Sequence, residues 1–165
     1  MNPAHLHLLL NHLPVLGVGF GLPLLAWAAL RRHDAFARLA LVVFILSALA
    51  AIPTYLSGEP AEEVVEPVAG TIEPWVEPHE EAALVSLVLI ETLGLLALGG
   101  LWFARRQPAV SRPVLVASLV LALATAGSLA WTANLGGLIR HSEIRSNGAV
   151  SADPGPDESQ ERERQ

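Results

Sequence analysis

Five of the six histidines stand where long apolar stretches begin or end: His5, His7 and His12 at the head of the first, His79 at the head of the third and His141 at the close of the fourth. Imidazole is the commonest protein ligand for transition metals and also binds haem iron. A ring at a helix end can face the interior while its second nitrogen bonds a carboxylate or a carbonyl. Glu59, Glu80 and Glu81 are placed to act as additional ligands or to orient the rings. Cysteine is absent, which excludes disulfides, iron–sulfur clusters, thiol catalysis and covalently attached c-type haem.

Helical spacing ranks these candidates. Residues seven apart lie nearly on one line down a helix. Below His12 that line holds Gly19 and Ala26; below His141 it holds Asn134 and Gly127, with Gly137 and Ala130 at the intervening turns. The pattern reads either as close packing through small residues or as a slot beneath the histidines. His5 and His7, two residues apart, point about 200° away from each other on a helix and cannot share an ion there. A helix beginning at Pro3 puts His5 and His12 on one face about 10.5 Å apart, too far for joint ligation. The expected ligands are therefore His12, His79 and His141, with His5 or His7 as a fourth.

Glu91 is the one ionisable residue deep within an apolar stretch, about 15 Å below the head of the third. A charge at that depth is costly, so its carboxyl is expected to be protonated or partnered and to face inward, on one stripe with Glu80, Leu84 and Leu87. Ser47, Thr125 and Ser128 reach a similar depth. Glu91 reads as a proton relay toward the histidines or as hydrogen-bonded helix glue.

The elements that must position these groups are legible from composition. Of 165 residues, 52% are apolar and 16% charged, and the charges fall almost wholly outside four runs of 18 to 26 residues: Leu13 to Leu30, Leu39 to Ser57, Ala82 to Ala104 and Val114 to Ile139. Each run covers about 27 Å or more as a helix, enough to cross a bilayer's hydrocarbon core. The fold expected is all-α, a four-transmembrane-helix bundle over residues 1–145, followed by a disordered polar tail at 146–165. Asn2-Pro3 is a helix start that allows the first helix to begin at Pro3 and bend at Pro14; Pro78 reads as the first helical residue of the third. The segment 58–81 carries eight glutamates and repeated Glu-Pro pairs, and reads as an acidic, solvated loop of short helical turns.

Arginines set the orientation, because basic residues in short loops are retained in the cytoplasm. Arg31, Arg32 and Arg38 lie between the first two runs and Arg105, Arg106 and Arg112 between the last two, whereas 58–81 has none. Both termini and the five histidines are thus expected on the non-cytoplasmic side. Arg140 and Arg145 argue the other way, while Trp27 and Trp102 fall at the arginine ends, where an aromatic belt belongs. No basic residue precedes the first run, so a cleaved signal peptide is not expected. The net charge of −6 leaves no basic field for nucleic acid.

The opening HLHLLLNHLP and the closing LGGLIRH resemble a family of uncharacterised, predicted four-helix bacterial membrane proteins, over roughly residues 3 to 141. That family tends to carry a histidine at the head of its third helix, which His79 would match. The resemblance implies a small multi-pass protein of the cell (plasma) membrane and brings no activity with it. The acidic Glu-Pro loop and Glu91 depart from the family's pattern.

The residues together point to a membrane protein that binds a transition-metal ion (zinc, copper or iron) or haem b at its outer rim, with electron transfer as the natural role for haem. The competing reading is a non-catalytic scaffold, a subunit of a membrane complex or a homo-oligomer, in which the small-residue stripes pack helices. A transporter is disfavoured by the lack of an inverted repeat.

Overall fold

The computed structural model describes residues 2–69 and 73–141 of the chain, and the tail expected at 146–165 lies outside them. Six helices follow in order: α1 (Pro3–Leu10), α2 (His12–Arg31), α3 (Asp34–Leu56), α4 (Gly58–Ala69), α5 (Glu73–Ala104) and α6 (Arg112–Arg140). There are no strands among the described residues. Four segments are long and apolar enough to span a membrane: Pro3–Arg31, Asp34–Val64, Trp75–Ala104 and Arg112–Ile139. α2 packs on α3, α3 on α5, α5 on α6, and α6 returns to α2. The result is an up-down-up-down bundle with a membrane-spanning segment at each corner.

Proline chemistry sets the breaks. Asn2 caps α1 by accepting the Ala4 N–H at 2.9 Å, with Pro3 as the first helical residue. Pro14 cannot donate to the carbonyl of Leu10, one turn earlier, and the helix breaks there, between α1 and α2. The Thr54 hydroxyl of α3 lies 3.1 Å from Leu10 O and shares its single hydrogen between that carbonyl and Ala50 O at 2.8 Å. The third span begins at Glu73 rather than at the expected Pro78, because Pro74 already occupies the first turn; Pro78 lies inside α5. Over its described residues the acidic segment is α4 and the first turns of α5 rather than a chain of short turns, and α4 packs against α1.

Small residues let the helices close on one buried ring. Phe44 is fully buried and lies over Gly21 of α2, where an added Cβ would come within 2.5 Å of its Cε1. Gly94 of α5 likewise admits Ala48, and Gly100 admits Val114 of α6. Leu25, Leu41, Leu93, Ala97 and Ala122 complete this core. The outer surface carries Leu16, Phe20, Leu46, Leu49, Leu95, Leu123 and many other exposed large apolar side chains, a covering suited to lipid and not to water.

The arginine end is pinned by side chains. Asp34 at the start of α3 accepts the Val110 N–H at 2.7 Å and pairs with Arg38, whose Nη2 donates to the carbonyls of Ala104 and Gln107, each at 3.1 Å. The α5–α6 connection is thereby tied to the α2–α3 connection. Trp27 meets Phe36 edge-on at 5.2 Å, and the Arg105 guanidinium sits 3.4 Å over the Trp102 ring, so both tryptophans belong to this end.

The histidine end of the bundle

Alternating connectivity carries α1, the end of α3, the start of α5 and the end of α6 to the opposite end. Of the histidines there, His7 and His79 are half-buried, while His5, His12 and His141 are exposed.

His7 Nδ1 lies 3.1 Å from Thr54 O and 3.0 Å from Ser57 Oγ. The Ser57 hydroxyl donates its own hydrogen to Thr54 O at 2.8 Å, which leaves its oxygen to accept from His7. His79 Nδ1 lies 3.0 Å from Thr132 O on α6. A carbonyl oxygen only accepts, so Nδ1 carries the hydrogen in both rings and each Nε2 presents a lone pair. This is the tautomer a metal-binding histidine needs, held by the main-chain bond such ligands usually make. The two rings lie within electrostatic reach of each other. Gly136 makes room for one of them, since a Cβ there would sit 3.1 Å from His79 Cε1; Gly58 faces His7, where a Cβ would sit 3.9 Å from Cε1.

Burial and these main-chain bonds set His7 and His79 apart from His5, His12 and His141, which are exposed. His12 turns back over α1, donating from Nδ1 to Leu8 O at 2.7 Å. Gly19, one heptad below it, faces open space, as does Gly127 below His141, and Ala130 and Asn134 are exposed. Ala26 and Gly137, the remaining members of the two stripes, are half-buried. The inward face of α2 is Pro14, Val18, Gly21, Leu25 and Ala28, because Phe44 needs Gly21 opposite it. His141 caps α6, with its main-chain N–H on Gly137 O at 2.8 Å. Glu59, Glu80 and Glu81 are exposed. Among the described residues, no three His, Asp or Glu side chains gather into a group able to hold a metal ion.

Glu91 lies on the flank of the α5 core face. Its Oε1 is buried without a hydrogen-bond partner among the described residues. The hydroxyls expected near it are engaged elsewhere: Ser47 with Val43 O, Thr125 with Leu121 O and Ser128 with Ser86. Glu80 and Leu84, expected on its stripe, are exposed.

Sequence reasoning missed a hydroxyl cluster, in which buried Ser86, two turns below His79 on α5, has its Oγ 2.7 Å from Ser128 Oγ and 2.9 Å from Thr132 Oγ1. It also underrated His7. The available signal was Pro14, which leaves the Leu10 carbonyl in need of a donor and so draws in α3 with Thr54 and Ser57.

No protein-family model, curated protein or solved structure matches the chain. What the protein does must be argued from this geometry.

Proposed function

We propose that this multi-pass membrane protein holds haem b at the histidine end of its bundle, with His7 and His79 as axial ligands, and serves in electron transfer. The observation that carries this reading is that two imidazoles from separate segments at this end are half-buried, each with Nδ1 committed to a main-chain carbonyl. Two such donors complete the axial set of a haem iron. A bare zinc, copper or iron ion needs three or four donors, and no third side chain joins the pair among the described residues. Redox chemistry belongs to the haem; the protein's part is to orient the imidazoles and keep water away from them. The arginine pattern supports a non-cytoplasmic position for this end, and the resemblance to four-helix bacterial membrane proteins supports the bacterial cell membrane as its site.

The test is an absorbance spectrum and metal analysis of the full chain, purified in mild detergent from cells supplied with haem and metals. A Soret band that His7→Ala and His79→Ala each abolish, and that His12→Ala and His141→Ala leave intact, is the expected result, with helical content unchanged by circular dichroism. A stoichiometric metal without a Soret band would assign the pair to an ion instead. Absence of both would make the protein a scaffold or an accessory subunit of a membrane complex.

A further inference from the structure

A groove follows the outer seam between α5 and α6, separate from the histidine pair. It has a volume of about 330 Å³ and is lined by Pro78, Glu81, Ala82 and Val85 on α5 and by Ser128, Trp131 and Leu135 on α6. That volume sits at the low end of small-molecule sites. Ala82 and Leu135 are buried and form the floor, while Glu81, Val85 and Trp131 are exposed along the rim. From Glu81 to Val85 the groove descends about 6 Å, one helical turn, from the membrane surface toward the hydrocarbon.

Its polar groups are unequal. The Ser128 hydroxyl is engaged by Ser86 at 2.7 Å, within the hydroxyl cluster, so it asks little of an occupant. Glu81 is different: an exposed carboxylate at the upper end, with Glu77 and Glu80 also exposed on the same turns of α5. A negative rim repels the phosphate of an ordinary phospholipid and attracts a cation. Trp131 adds an exposed indole, the best aromatic face for an ammonium group. Below the rim the walls are apolar and open to lipid, which suits an alkyl chain.

We propose that this groove binds a single-chain amphiphilic cation from the bilayer, its quaternary or protonated nitrogen held by the Glu81 carboxylate and the Trp131 ring and its chain lying along Ala82 and Val85 toward Ser128. No residue lining the groove is hydrogen-bonded to His7 or His79, although Pro78 precedes His79 in the chain, so this proposal does not rest on the haem reading.

The experiment uses the full chain in nanodiscs of neutral lipid and N-dodecylpyridinium as the probe, a cation that quenches indole fluorescence on contact. Saturable quenching is expected for the native protein and is expected to vanish in Trp131→Phe, which retains the other tryptophans. Glu81→Gln should weaken binding about tenfold or more, whereas Glu80→Gln, outside the groove, should change it little. Val85→Phe, which narrows the groove without touching its charge, should also weaken it. Dodecyl sulfate, with the same chain and opposite charge, should fail to compete. Quenching that never saturates, equal losses from Glu80→Gln and Glu81→Gln, or competition by dodecyl sulfate would each overturn the proposal.

Discussion

Adding one methyl group at either of two glycines on α2 should have opposite consequences. At Gly21 a Cβ would lie 2.5, 2.9 and 3.2 Å from three ring carbons of Phe44. The ring is fully buried among Leu25, Leu41 and Leu93, so it has nowhere to withdraw. Overpacking of this kind costs about 1–3 kcal/mol. Alanine's better helix propensity returns about 1 kcal/mol, leaving Gly21→Ala with a net loss of up to about 2 kcal/mol. At Gly19 nothing lies within 4 Å of the new Cβ, so Gly19→Ala should gain up to about 1 kcal/mol. The two variants should thus differ by about 1–3 kcal/mol, several degrees in Tm for a chain of this length, with Gly19→Ala the more stable. Thermal unfolding followed by circular dichroism, in one detergent and at one scan rate, measures the difference. Equal effects, or a loss confined to Gly19→Ala, would mean that α2 presents its His12 face inward. The outward placement of His12, and the preference for His7 over it, would then fall.

Other perturbations test separate parts of the structure. Gly136→Ala should push on the His79 ring, reached at 3.1 Å, and lower haem occupancy with helical content intact, as read by the Soret-to-protein absorbance ratio. Asp34→Ala removes the acceptor of the Val110 N–H and the partner of Arg38, so hydrogen exchange at Val110 should accelerate and stability fall by about 1–3 kcal/mol. Glu91→Leu replaces a carboxyl whose buried Oε1 has no described partner by an apolar group of similar size. It should leave the fold intact and raise stability by about 1–3 kcal/mol, whereas loss of assembly in a thermal and size-exclusion assay would show that the carboxyl holds a partner.

Much of the fold was readable along the chain because membrane insertion acts on local composition. A run of about 20 apolar residues must be helical in lipid, since its backbone groups have nothing else to bond. Residues 13–30, 39–57, 82–104 and 114–139 therefore announced themselves, and alternation of four spans was enough to bring five histidines to one end. The break at Asn11 was half visible in Pro14, and the start at Pro3 in Asn2.

Which way each helix is turned about its own axis was not readable. In a soluble protein the polar face marks the outside, but here both faces of α2 and α6 are apolar, with small residues on each, so periodicity along one helix cannot select the inward side. The glycine stripes beneath His12 and His141 looked as suitable as any other. Tertiary packing decided the matter: Phe44 lies over Gly21, Ala48 against Gly94 and Val114 of α6 against Gly100, and in that packing Gly19 and Gly127 face outward. The same packing brought Thr54 and Ser57 to His7, and Thr132 to His79, across intervals of about 50 residues that no local pattern spans. The sequence by itself thus determined the helices, their number and the end at which the imidazoles collect. Only the assembled bundle determined which two turn inward, because that choice depends on the shapes of side chains supplied by different helices.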